Sequence, residues 1–210
     1  MVKEQREAGQ WWTENIRNVY GIYLADIKAE EMDGTVQEIL YKTLGENGLT
    51  RAEADEKMEQ FINEVPYTYF NVAGRDNMSL VEGAKDALSL CNNKDWIVGL
   101  ATPLIEKQAL NMMERTKIDP KQFKFAEYGA YKKDAQSLLM AAISSAKANG
   151  AEPDADGVFV SASPNMLSVA RAVRIKTVGV GPDDRFTGME LDAKIKSLKE
   201  IKKGIQQATR

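Results

Sequence analysis

Asp26 follows an apolar run, Val19-Tyr-Gly-Ile-Tyr-Leu-Ala25, whose composition predicts a buried strand. In a chain where strands and helices alternate, a carboxylate at the C-terminal end of a strand sits where open α/β sheets place their ligands. Lys28 lies two residues further on. Other polar side chains follow apolar runs in the same way. Thr102-Pro103 follows Trp96-Ile-Val-Gly-Leu-Ala101, Lys132 and Lys133 follow a short run at 123–128, and Ser161 follows Gly157-Val-Phe-Val160. The chain has no histidine. Imidazole-based triads and imidazole metal sites are therefore excluded, and carboxylates, lysines, hydroxyls or tyrosines must carry any acid–base step.

These residues need a scaffold, and the pattern supplies one. Residues 3–18 predict a helical extension anchored by Trp11 and Trp12, a pair expected to serve packing. After the strand at 19–25, Val36, Ile39, Leu40, Thr43 and Leu44 recur at helical spacing over 35–44. Thr50-Arg-Ala-Glu53 is a capping box opening another helix, with Met58, Phe61, Ile62 and Val65 inward and Pro66 closing it. Residues 28–79 are thus expected to form a small inserted helical domain. From residue 80, apolar runs alternate with helical stripes. Helices are expected at 103–116, 134–148, 164–173 and within 190–207, and strands at 96–101, 123–128, 157–160 and 177–180. Such an order predicts an α/β fold, a parallel sheet with helices on both faces, built from 1–27 and 80–210.

Composition narrows the function classes. The 210 residues allow one domain with an insertion, and 28 basic against 31 acidic residues give a net charge of −3. A nucleic-acid surface needs a clustered basic excess, so none is expected. No apolar stretch approaches the roughly 18–20 residues of a membrane span, and the charged start Met-Val-Lys-Glu-Gln-Arg-Glu lacks the apolar core of a signal peptide. The single Cys91 cannot form an internal disulfide. A cytoplasmic protein is the expectation. The Lys-rich tail (Lys194, Lys196, Lys199, Lys202, Lys203) is expected to be a solvated face.

The order of these segments resembles the haloacid dehalogenase (HAD) superfamily, in the subclass with a helical cap. Its members show a strand ending in Asp-x-Asp-Gly-Thr, a helical cap, a strand ending in Ser or Thr, a loop lysine, and a strand ending in Gly-Asp-x-x-x-Asp. The resemblance implies a three-layer Rossmann-like core with the cap at 28–79. It implies Asp26 as the nucleophile that forms an aspartyl-phosphate, Thr102 and Ser161 as hydroxyls on the anion, and Lys132, with Lys133 beside it, as the neutralising cation. Four positions depart from the pattern. Lys28 replaces the acid–base Asp, Pro103 removes an N–H donor, and Ala162 and Met166 stand where two magnesium-binding acids belong. Mg²⁺ needs oxygen ligands, so no metal cofactor is expected.

The resemblance therefore implies a catalytically impaired pseudo-phosphatase. Its expected partners are a small anionic or phosphorylated ligand in the cleft between core and cap, and a protein. The alternative is an active hydrolase, a phosphatase or a metal-independent enzyme, with Asp26 as nucleophile and the Lys28 ammonium in the metal's place. Lys28 or Lys132 pairing with Asp26 as a plain ion pair is the simplest reading of both lysines. Glu31-Met32-Asp33-Gly34-Thr35 imitates the first motif, but no buried strand precedes it, and Asp33-Gly34 is expected to be a turn into the next helix.

Overall fold

A computed structural model describes residues 2–3, 8–25, 27, 32–72, 79–94, 96–152 and 155–210. The chain opens with a two-residue strand, β1 (Val2–Lys3), paired antiparallel with β2 (Ser79–Leu80). Between them, among the described residues, come the helices α1 (Ala8–Tyr20), α2 (Val36–Glu46), α3 (Arg51–Glu56) and α4 (Met58–Val72). Then follow α5 (Ala84–Asn92), β3 (Gly99–Thr102), α6 (Glu106–Thr116), β4 (Phe125–Tyr128), α7 (Ala135–Ala148), β5 (Val158–Ser161), α8 (Pro164–Ala172), β6 (Lys176–Val180), β7 (Ala193–Ile195) and α9 (Ile201–Ala208).

The strands from β3 onward pair in parallel, β3 with β4 and β5-β6-β7 in that order. Parallel neighbours need crossover connections, and helices α6 and α8 provide two of them. The alternation of side chains along a strand then fixes three layers. Val158 and Val160 pack with Ala84, Ala87, Ile201 and Ala208 of α5 and α9, whereas Phe159 between them packs with Leu138, Leu139, Met166 and Ala170 of α7 and α8. In β3, Leu100 joins Leu88 of α5 and Met113 of α6, while Ala101 faces the α7–α8 side. A strand covered on both faces reads as a near-continuous apolar run, as Leu100–Ala101 and Val158–Val160 do. The expected α/β sheet with helices on both faces is the fold observed.

The expected strand at 19–25 is not formed. Trp12, Ile16 and Val19 recur at i, i+4 and i+7, and all three are buried, so the helical period claims the start of that run. Helix α1 continues through Tyr20, and Gly21 ends it at φ 74°, a left-handed conformation that glycine adopts without strain. Residues 21–25 enter no strand. A second correction concerns Pro66, which lies inside α4 and does not close it. The helix survives the missing N–H because its last turns are held from outside, with the buried Tyr69 ring 5.5 Å from Trp11.

The Trp pair is packing, as expected. Trp11 and Trp12 meet edge to face at 5.4 Å, and Trp12 meets Phe61 at 5.0 Å. Within this aromatic cluster the buried Asn15 amide donates to the Phe61 carbonyl at 3.2 Å, and the Thr68 hydroxyl donates to Asn15 Oδ1 at 3.1 Å. Helices α1, α2 and α4 share this core with Ile105, Met112 and Ala130 from the sheet-bearing part of the chain. No helix among the described residues is long and apolar enough to cross a membrane.

Candidate functional site

The C-terminal ends of β3, β4, β5 and β6 bring four loops to one edge, with Thr102 opposite Tyr128 and Ser161 opposite Gly179. Thr102 is half-buried, and its hydroxyl oxygen accepts from the Leu104 N–H at 3.4 Å. The expected helix start at 103 is displaced. Helix α6 begins at Glu106 with Ile105 as its cap residue and no side-chain cap bond. The Pro103–Leu104 segment is instead pressed against the next loop. The Gly129 N–H donates to the Leu104 carbonyl at 3.0 Å, and a Cβ on Gly129 would lie 2.3 Å from the Pro103 oxygen. Only glycine permits that approach.

Lys132 and Lys133 follow on this loop. The Lys132 ammonium lies 3.1 Å from a Glu127 oxygen, and the other Glu127 oxygen accepts from the Ser145 hydroxyl at 2.6 Å. Burial pushes the Glu127 carboxyl up, but the Ser145 hydroxyl and the Lys132 ammonium outweigh it and hold the group below the ordinary carboxylate range. Lys132 is therefore neutralised from within β4. Lys133 is exposed beside Asp134. Asp134 caps α7: its carboxylate accepts from the Ser137 hydroxyl at 2.6 Å and the Ser137 N–H at 2.7 Å, and these bonds hold its carboxyl below the usual value.

At the end of β5, Ser161 Oγ accepts from the Ser163 N–H at 3.1 Å, and Ser163 is the N-cap of α8 with Pro164 in its first turn. Ala162 contributes only backbone here, and Arg185 donates to its carbonyl at 3.4 Å. Met166 is 2% exposed, packed among Leu138, Leu139 and Ala170. Neither position offers an oxygen-bearing side chain, and among the described residues no group of three or more acidic or cysteine side chains converges on one point.

Asp26 and Lys28 lie outside the described residues, as does Glu31. Asp33 is described, and it is more than a turn residue. Its carboxylate accepts from the Ser163 hydroxyl and from the Asn165 N–H at 3.1 Å, and its carbonyl accepts from the Asn165 side-chain amide at 3.0 Å. Nearby, one Glu38 oxygen accepts from the Thr35 N–H at 2.8 Å and the Ala135 N–H at 3.1 Å. Sequence reasoning took Asp33 as a turn residue within a stretch that only imitates the first motif, and assigned neither Glu38 nor Arg185 to the strand ends. The signal for Glu38 was present, since Thr35-x-x-Glu38 is a capping box like the one at Thr50. A groove of 310 Å³ along α1 is lined by Thr13, Glu14, Arg17, Tyr23 and Leu24.

In sequence, no protein-family model and no curated protein matches the chain. Solved structures do match in shape. A β-phosphoglucomutase from Clostridium difficile superposes with a TM-score of 0.68 at 16% identity, over 95% of this chain and 88% of that one. A haloacid dehalogenase-like hydrolase from Streptococcus pneumoniae gives 0.63 at 11% identity, over 94% and 89%. A 2-haloacid dehalogenase from Pseudomonas syringae gives 0.56 at 14% identity, over 94% and 80%. The chain has the haloacid dehalogenase-like fold.

Proposed function

We propose that this protein is a catalytically impaired HAD-like pseudo-phosphatase, with a cleft at the strand ends that accommodates a small anionic or phosphorylated ligand, and with a binding or structural role. One observation carries this reading. Where the HAD pattern puts its metal-binding acids, this chain has Ala162 and a Met166 side chain buried in an apolar cluster. Ala162 and Met166 do not fit Mg²⁺, which wants oxygen ligands, and the proposed role needs no metal. Charge stabilisation by metal and donors carries much of phosphoryl transfer, and its loss removes most of the rate.

In this reading Asp26 is a vestigial nucleophile and Lys28 a cation in the metal's place. Thr102 and Ser161 each keep a hydroxyl proton to donate, since the bonds described use these oxygens as acceptors. Lys132 and Lys133 supply positive charge, Lys132 already shared with Glu127. We draw the cap at 28–79 and the core at 1–27 and 80–210, with α1 packing onto the cap through its tryptophans.

The competing reading is an active hydrolase using Asp26. It draws on Asp33, whose carboxylate stands at the first turn of α8 and could replace a missing acid. Phosphate release from a panel of phosphomonoesters, with and without Mg²⁺, separates the two when run on the protein and on Asp26→Asn. We expect no turnover above background in either. Robust Mg²⁺-dependent release that disappears in Asp26→Asn would sink the pseudo-phosphatase reading.

A further inference from the structure

We infer that Asp33 and Glu38 form a two-point latch that holds the helical segment closed on the strand-end loops, by serving as the anions at the first turns of α8 and α7. The first support is a donor count. A helix start leaves its first N–H groups without intrahelical partners. In α8, Pro164 has no N–H, Asn165 donates to Asp33 at 3.1 Å, Met166 donates to Ser163 Oγ at 3.0 Å, and Leu167 donates to the Ser163 carbonyl at 3.1 Å. Asp33 thus completes a set that the helix cannot complete alone. The Ser163 hydroxyl spends its proton on the other Asp33 oxygen, so both carboxylate oxygens are engaged. Bonds from N–H and O–H groups to an ionised carboxylate are the strong kind, and the helix dipole favours negative charge there.

The second point is built differently. Glu38 closes the capping box of its own helix with Thr35, and the same oxygen reaches the first N–H of α7. Gly34 makes room for this: a Cβ there would sit 3.2 Å from that oxygen. Asp134 holds the third N–H of α7, so Glu38 again supplies what the local cap does not.

Geometry turns two caps into a latch. Asp33 and Glu38 sit just before and within the first turn of α2, while their partners lie 97, 130 and 132 positions away in the chain, on two helices packed together on one face of the sheet. The buried face of α2 (Val36, Ile39, Leu40, Leu44) belongs to the aromatic core of α1 and α4. Whatever fixes the start of α2 therefore fixes the segment. Among the described residues the segment also meets the sheet-bearing part through the apolar contacts of Ile105, Met112 and Ala130 and through the Arg115 guanidinium, 5.0 Å from the Phe70 ring centroid, and apolar contact sets no single orientation.

The test measures distance and involves no turnover, so it stands apart from the pseudo-phosphatase reading. Spin labels on exposed Gln60→Cys in α4 and Lys203→Cys in α9, in a Cys91→Ser background, report the separation of the segment from the sheet by pulsed dipolar spectroscopy. A narrow distribution is expected for the parent, and a broader one displaced to longer distance for Asp33→Ala/Glu38→Ala, with unchanged helicity by circular dichroism. Ser163→Ala, which leaves the helical segment intact, should broaden it part of the way. An unchanged distribution in the folded double variant overturns the latch. Should that variant not fold, Asp33→Asn decides by the same criterion, since it keeps the side chain's shape while removing its charge.

Discussion

The helical segment and the strand-end loops are held by opposite kinds of force. In the first, rings do the holding: Trp11 against Tyr69 at 5.5 Å, Trp12 against Phe61 at 5.0 Å, all edge to face and all buried. In the second, single polar atoms do it: Glu127 on Lys132, Asp134 on Ser137, Asp33 on Asn165. Apolar burial sums over area and has no direction. A hydrogen bond has direction, but its net worth is about 1 kcal/mol. The segment should therefore be costly to break and indifferent to fine geometry, and the loops cheap to break and strict about it.

The largest expected effect breaks the first half of that contrast. Trp12 is fully buried, and truncating such a ring leaves a cavity as well as losing transfer energy. Trp12→Ala should cost about 3–5 kcal/mol of unfolding free energy by denaturant titration. Trp96 is 45% exposed, and Trp96→Ala should stay within about 0.5 kcal/mol. Equal losses at the two tryptophans would refute the assignment of the segment's stability to its aromatic core.

The same contrast explains what the sequence made legible. Continuous apolar runs became β3, β5 and β6, and helical stripes became α2, α7 and α8, because each depends on local period and burial. The run at Val19–Ala25 misled because a short apolar stretch fits a strand or a buried helix end equally well. Trp12, Ile16 and Val19 carried the deciding period, but that stripe lies mostly N-terminal to the run. Thr102-Pro103 had the composition of a helix start, yet the close approach of Gly129 to Pro103 claims those residues for the loop pair. Asp33 and Glu38 were visible only as turn and cap chemistry. Their partners 97 to 132 positions away depend on how α2 docks, which no local pattern encodes.

A smaller effect should sharpen the boundary between the two regimes. Gln108 lies on α6 between Ile105 and Met112, two members of the aromatic core cluster. It is 1% exposed, and among the described residues neither its amide oxygen nor its nitrogen has a hydrogen-bond partner. A polar group buried without partners costs about 1–3 kcal/mol. Methionine matches glutamine in length and helix propensity, so Gln108→Met should raise stability by about that amount in denaturant titrations. A loss of stability would show that the amide is satisfied in solution and that this interface is wet.

The smallest effect tests the polar regime through pH. The Glu127 carboxyl sits below its ordinary value in the folded chain because Ser145 and Lys132 favour its charged form against burial. A depressed folded value means that the unfolded chain binds the proton more readily. The stabilisation is then complete above the unfolded carboxylate value of about 4.3 and is lost as pH falls through the lower folded value. Glu127→Gln removes that proton linkage and leaves Lys132 without its counter-ion. It should lower Tm near pH 7 and flatten the fall of Tm below the ordinary carboxylate value of about 4.3, so that the two curves converge at the acid end. Curves that stay parallel across that range would mean that the Lys132–Glu127 pair contributes nothing to holding the loop, and that the backbone contact between Gly129 and Leu104 fixes it alone.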